Sequence, residues 1–86
     1  MEKYEIVFAK SALKELHKIA KPDVGAIIDK IDQLAFDPRP NGAIKLKGSK
    51  RTLWRIRIGN FRVIYSIEDI IRIVEILAIG DRKDIY

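Results

Sequence analysis

The segment LWRIRIGNFRVIY, residues 53–65, restricts the possible folds more than any other part of this chain. Along LWRIRI and again along FRVIY the apolar residues recur at every second position, and Gly59-Asn60 separates the two runs, which predicts a hairpin with a two-residue turn. That register sets Ile58 opposite Phe61, Arg57 opposite Arg62, Ile56 opposite Val63, Arg55 opposite Ile64 and Trp54 opposite Tyr65. Successive side chains of a strand point to opposite faces. One face therefore gathers Trp54, Ile56, Ile58, Phe61, Val63 and Tyr65 and belongs in a core, while the other carries Arg55, Arg57 and Arg62. Arginines directly opposite one another destabilise a sheet unless an anion compensates, so this face is expected to meet negative charge.

The rest of the chain supplies what covers the apolar face. YEIVF at 4–8 places Tyr4, Ile6 and Phe8 on one side of a short strand. Ser11 is suited to cap a helix in which Leu13, Leu16 and Ala20 recur at helical spacing. Pro22 interrupts it and, with Asp23, fits the first turn of a second helix, whose apolar stripe is Val24, Ile27, Ile28, Ile31, Leu34 and Ala35. DPRPNG at 37–42 ends helical structure, because proline removes donors and Asn-Gly favours a turn. AIKLKG, LWRIRI, FRVIYSI and IIRIVEILAI then read as strands. The expected architecture is α+β, in the order β-α-α-β-β-β-β, with two helices on one face of an antiparallel sheet. A chain of 86 residues with no linker or repeat is expected to form a single domain over 1–86.

Charge is unevenly distributed. The formal net charge is +5, and from Pro38 to Ile67 there is no acidic residue, while Arg39, Lys45, Lys47, Lys50, Arg51, Arg55, Arg57 and Arg62 all lie there. A merely solvated face would intersperse both signs. Glu75 is an internal candidate for the anion: a tight turn at Glu68 and Asp69 would bring it opposite Arg62. One glutamate does not neutralise three arginines, and phosphates, which arginine grips bidentately, suit the remaining charge better.

Other chemistries are poorly provided for. The absence of cysteine excludes disulfides and thiolate metal sites. No metal-ligand constellation and no glycine-rich phosphate loop is present, so no cofactor is expected. His17, the only histidine, lies beside the first helix's apolar stripe and reads as a partly buried surface residue. Ser11 has no histidine or acid placed to activate it as a nucleophile. No apolar run approaches the roughly 20 residues of a membrane span and MEKYEIVF is no signal peptide, so a cytoplasmic protein without membrane contact is expected. At the C-terminus, Arg82 and Tyr86 follow the last strand. Tyr86 reads equally as a loose chain end or as a ring that stacks on an unpaired base.

The ordered set of SALKELHKI, IKLKG, LWRIRIGNFRVIYSI and ILAIGDRKDIY resembles the RelE/ParE superfamily of toxins from toxin–antitoxin pairs, specifically its RelE branch, over nearly the whole chain. The resemblance implies an endoribonuclease that cuts messenger RNA in the ribosomal A site by attack of a 2′-hydroxyl on the adjacent phosphate, leaving a 2′,3′-cyclic phosphate. Carried over by position, the catalytic surface is Arg55, Arg57, Arg62, Arg82 and Tyr86. Arg62 and Arg82 would hold the scissile phosphate, Arg55 and Arg57 would orient and neutralise it, and Tyr86 would stack on or protonate the RNA. Lys45, Lys47, Lys50 and Arg51 would bind flanking phosphates or ribosomal RNA.

Two departures from the family pattern carry chemical consequences. Arg55 and Arg57 stand where the best-studied branch has lysines, and arginine stays protonated. The base is then Lys45 or Lys47, Tyr86, or a ribosomal group. Tyr86 also follows Gly80 more closely than the family tyrosine usually does. The implied partners are the ribosome, its mRNA, and a cognate antitoxin with an acidic amphipathic segment. The ParE branch, whose members poison DNA gyrase, and a non-catalytic basic RNA-binding module are the alternatives.

Overall fold

The computed structural model describes residues 3–48 and 51–81. In chain order the elements are β1 (Glu5–Phe8), α1 (Lys10–His17), α2 (Lys21–Gln33), β2 (Ile44–Leu46), β3 (Leu53–Ile58), β4 (Phe61–Glu68) and β5 (Ile73–Asp81). The five strands form one sheet in the order β1-β5-β4-β3-β2. The β2, β3, β4 and β5 neighbours are antiparallel, and β1 adds to β5 in parallel. The sheet is thus mixed rather than wholly antiparallel. Crossing back over the sheet through α1 and α2 lets the chain bring β1 alongside β5 in the parallel sense, which a tight hairpin does not permit.

The central hairpin has the register expected from its alternation, from Ile58 opposite Phe61 to Leu53 opposite Ser66. Gly59 sits at φ 58 and Asn60 keeps a negative φ. A positive φ at the first turn position alone is the pattern that asks for glycine there.

Both helices cover the face that holds Trp54, Ile56, Val63 and Tyr65. Ala12, Ile27, Ile31 and Leu34 from the helical layer and Ile56, Val63, Tyr65, Val74, Ile76 and Ile79 from the sheet form one buried cluster. Burying an isoleucine or leucine side chain is worth about 1.5–3 kcal/mol, against about 0–1 kcal/mol for an exposed ion pair. Helix–sheet packing therefore holds the fold, and the surface charges are left to other uses.

The first helix differs from its expected form. Its N-cap is Ala9, and Ser11 lies inside the first turn, where its Oγ donates to the Leu77 carbonyl at 3.1 Å. Ser11 therefore ties α1 to β5 rather than capping the helix. The buried residue of α1 is Ala12, and Leu13 is 40% exposed. Close approach of α1 to β5 requires a small side chain at the contact, which turns the inward stripe away from Leu13. His17 is exposed rather than partly buried. The second helix matches its expectation, with proline in the first turn and Asp23 beside it.

Candidate nucleic-acid interface

The pleat carries Arg55, Arg57 and Arg62 onto the sheet face away from the helices. Arg57 pairs with Arg62 across the ladder, and directly opposite positions hold their Cβ atoms about 4.5–5.5 Å apart. The three differ in depth: Arg57 is exposed, Arg55 half-buried, and Arg62 buried. The Arg55 Nε is buried with no hydrogen-bond partner among the described residues. A donor in that state costs about 1–3 kcal/mol, so an acceptor oxygen brought in from outside would be well received there.

Arg51 reaches the same face from the segment before β3. Its Nη2 donates to Ser66 Oγ at 2.9 Å and to Glu75 Oε1 at 3.3 Å. Glu75 was a candidate to face Arg62, but it lies opposite Ser66, and Arg62 lies opposite Gly80. The cause is the turn. The β4–β5 connection is a four-residue turn, 69–72, with Arg72 at φ 55, rather than a tight turn at 68–69. A bulge then shifts the register between Ile64 and Tyr65, whose partners are Ala78 and Ile76. The length of the turn slides Glu75 away from the arginine pair and towards Arg51, and the bulge, which lies beyond the Ser66–Glu75 pair, adjusts only what stands opposite Arg62.

This sheet face is polarised along its length. Glu5 and Glu68 both neighbour Ile73 at the β4–β5 turn, whereas Arg57 and Arg62 lie beside the β3–β4 turn. Glu5 and Glu68 thus lie at one end of this face and the Arg57–Arg62 pair at the other, so the two signs are spaced along the sheet.

The other expected site residues are distributed differently. Lys45 pairs with Trp54 and so lies on the helix-facing side at the sheet edge. Lys47 is exposed just past β2. Neither Lys45 nor Arg39 joins the arginine face. Lys50, Arg82 and Tyr86 lie outside the described residues.

Arg39 has a structural partner that its surroundings in the sequence conceal. Its Nη1 and Nη2 donate to Asp69 Oδ1 and Oδ2 at 3.2 and 2.8 Å, and its guanidinium carbon is 5.5 Å from the centroid of the Trp54 ring. The Tyr4 hydroxyl donates to Asp69 Oδ1 at 2.6 Å. Donation from Arg39, then from Tyr4, lowers the Asp69 pKa from 3.8 to about 2. Nearby, the Tyr65 hydroxyl donates to the Pro38 carbonyl at 2.7 Å, and burial raises its pKa to about 12. These contacts fasten the 37–42 loop to the β4–β5 turn. The acid-free tract hid this pair because its carboxylate comes 30 residues later in the chain.

No helix among the described residues is long and apolar enough to cross a membrane. Residues 6–86 match the family described as ParE toxin of type II toxin–antitoxin system, parDE. A curated Escherichia coli relative carrying the name RelE-like toxin protein is 30% identical over 87 residues, covering 98% of this chain and 90% of the relative. Among solved structures, the archaeal RelE–RelB complex from Pyrococcus horikoshii OT3 is similar with a TM-score of 0.81 at 29% identity, covering 94% of this chain and 97% of the other. The RelBE2 toxin–antitoxin complex from Mycobacterium tuberculosis gives 0.82 at 25% identity, covering 93% and 99%. A matched fold, a matched family over almost the whole chain and the arginine face agree: this chain belongs to the RelE/ParE superfamily of type II toxin–antitoxin toxins, and it is RelE-like.

Proposed function

We propose that this toxin is a ribosome-dependent endoribonuclease that cuts messenger RNA in the ribosomal A site and so arrests translation in the cytoplasm. The observation that carries the reading is the convergence of Arg55, Arg57 and Arg62 on one sheet face, with the Arg55 Nε buried and lacking an acceptor among the described residues. A phosphodiester offers the oxygens such donors need. In the transition state for 2′-hydroxyl attack, negative charge grows on the non-bridging oxygens, and fixed guanidiniums stabilise that growth with little reorganisation. Arg62, held rigid by burial, and Arg82 hold the scissile phosphate. Arg55 and Arg57 orient and neutralise it, and Tyr86 stacks on the base or protonates the leaving oxygen.

None of these arginines gives up its proton, so the base lies elsewhere. Lys47, Tyr86 or a ribosomal group remains as the source, since Lys45 projects from the other side of the sheet. Lys50 and Arg51 bind flanking phosphate, and Lys45 binds ribosomal RNA from the sheet edge. A cognate antitoxin with an acidic amphipathic segment is the resting partner. The complexes formed by the similar RelE proteins support that assignment.

A second reading follows from the family match to ParE toxin: inhibition of DNA gyrase without RNA cleavage. One experiment separates the two. The purified chain is added to a defined translation reaction, and the 5′ ends of a programmed messenger are mapped with and without ribosomes, with Arg82→Ala as control. Cleavage within the A-site codon only when ribosomes are present, and lost in the variant, is the expected outcome. An intact messenger in every lane together with inhibition in a gyrase supercoiling assay would replace this reading with the second.

A further inference from the structure

β2 pairs with only the first half of β3, from Leu53 to Arg55. Before β2 the chain turns through Asn41 and Gly42, with Gly42 at φ 93 and the Ala43 amide donating to the Pro40 carbonyl at 3.0 Å. Where β2 is absent, a cavity of about 220 Å³ opens, lined by Lys30, Asn41, Gly42, Ile56 and Arg57. Lys30 comes from the last turn of α2 on one side of the sheet. Arg57 comes from the opposite face and meets it around the sheet edge.

This cavity has the features of an anion site. It is lined by two cations and by no carboxylate. Neither Lys30 nor Arg57 forms an ion pair among the described residues. In a two-residue hairpin the N–H and C=O of Ile58 face Phe61, and alternation then aims those of Arg57 outward, along the edge that borders the cavity. The Asn41 amide supplies further donors of a kind that contacts phosphate oxygens. The volume accommodates a phosphate group with several waters, each of which needs about 30 Å³.

We propose that this edge cavity is a second phosphate-binding site, which takes a backbone phosphate of the same RNA strand whose neighbouring phosphate lies on the arginine face. Lys30 and Asn41 are its residues, shared with Arg57, and the strand crosses the exposed half of the β3 edge between the two sites. The inference rests on the ribonuclease reading and adds a route for the RNA.

The test uses the ¹⁵N-labelled full chain and a 2′-O-methyl pentanucleotide, which binds but lacks the attacking hydroxyl. Amide signals of Asn41, Gly42 and Arg57 are expected to shift together with those around Arg62. Lys30→Gln, a change at an exposed helix position, should abolish the shifts at Asn41 and Gly42, keep those at Arg62, and reduce the slope of log K against log salt by about 0.7. Shifts at Arg62 with Asn41 and Gly42 unmoved, or an unchanged salt slope in Lys30→Gln, would overturn the edge site and leave the ribonuclease reading standing. No shift at either place would also overturn it, and the translation reaction then judges the ribonuclease reading independently.

Discussion

Arg57 and Arg62 stand directly opposite each other across the β3–β4 ladder, one exposed and the other only 4% exposed. Like charges directly opposite one another in a sheet are destabilising. Replacing the exposed member is the clean way to expose the cost. Arg57→Gln is expected to raise the free energy of unfolding by about 0.2–1 kcal/mol at low salt, read from urea titration, while lowering messenger cleavage. Equal or lower stability in the variant would mean that the pair is already compensated inside the protein.

Arg62 should show its role chiefly in kinetics. Its buried fork is aimed by packing, so Arg62→Lys keeps the charge but loses the bidentate geometry. Arg62→Ala should reduce the single-turnover cleavage rate on programmed ribosomes by about 10² to 10³, and Arg62→Lys should recover only a small part. Full activity in Arg62→Ala would remove this residue from the phosphate site.

Tyr65 reports on the loop that precedes β2. Its hydroxyl donates to the Pro38 carbonyl in a buried setting, so Tyr65→Phe leaves that carbonyl without its donor. The expected loss is about 1–3 kcal/mol, which for a domain of this size lowers Tm by about 4–8 °C per kcal/mol. Differential scanning calorimetry measures it directly. A variant as stable as the parent would show that water replaces the hydroxyl.

Asp69 gives a pH signature with a definite sign. Its pKa falls from 3.8 to about 2 on folding, chiefly through the Arg39 guanidinium and the Tyr4 hydroxyl. A depressed carboxylate pKa stabilises the fold above the unfolded value, and that contribution disappears as pH falls through the folded value. Stability should therefore decline between about pH 4 and pH 2 more steeply in the parent than in Asp69→Asn. Because both side chains are exposed by 43% and 52%, salt should flatten the difference. Urea midpoints across that pH range, at low and high salt, are the measurement.

Gly59 isolates a backbone effect. Nothing lies within 4 Å of where its Cβ would be, yet its φ is 58. Gly59→Ala should thus cost about 1–2 kcal/mol from conformation alone, without a packing change in the crystal structure of the variant. Unaltered thermal stability would show that the hairpin turn relaxes to another type.

Several features of this molecule were legible in its one-dimensional pattern. The register of the central hairpin, the division of its side chains into an apolar and an arginine face, the proline-initiated second helix and the helix-ending DPRPNG segment all follow from local rules. Each depends on alternation, helical spacing or proline geometry within about a dozen residues, and a period of two leaves only one way to bury Trp54, Ile56, Val63 and Tyr65 together.

The contacts between distant segments, by contrast, were set by the packed fold. The parallel docking of β1, the sliding of Glu75 from Arg62 to Arg51, the capture of Arg39 by Asp69 and the role of Ser11 as a tie to Leu77 depend on the path of the chain over the sheet, one four-residue turn and the closeness of α1 to β5. The longer turn alone slides Glu75 by four positions, from Arg62 to Ser66, along the same face. Pattern determined which residues of the hairpin and of α2 are buried, but not the inward stripe of α1, where Ala12 is buried and Leu13 is 40% exposed. The meeting of charges was settled by long-range register, because an ion pair needs its partners a few ångströms apart, a precision that local periodicity does not carry across 30 residues of chain.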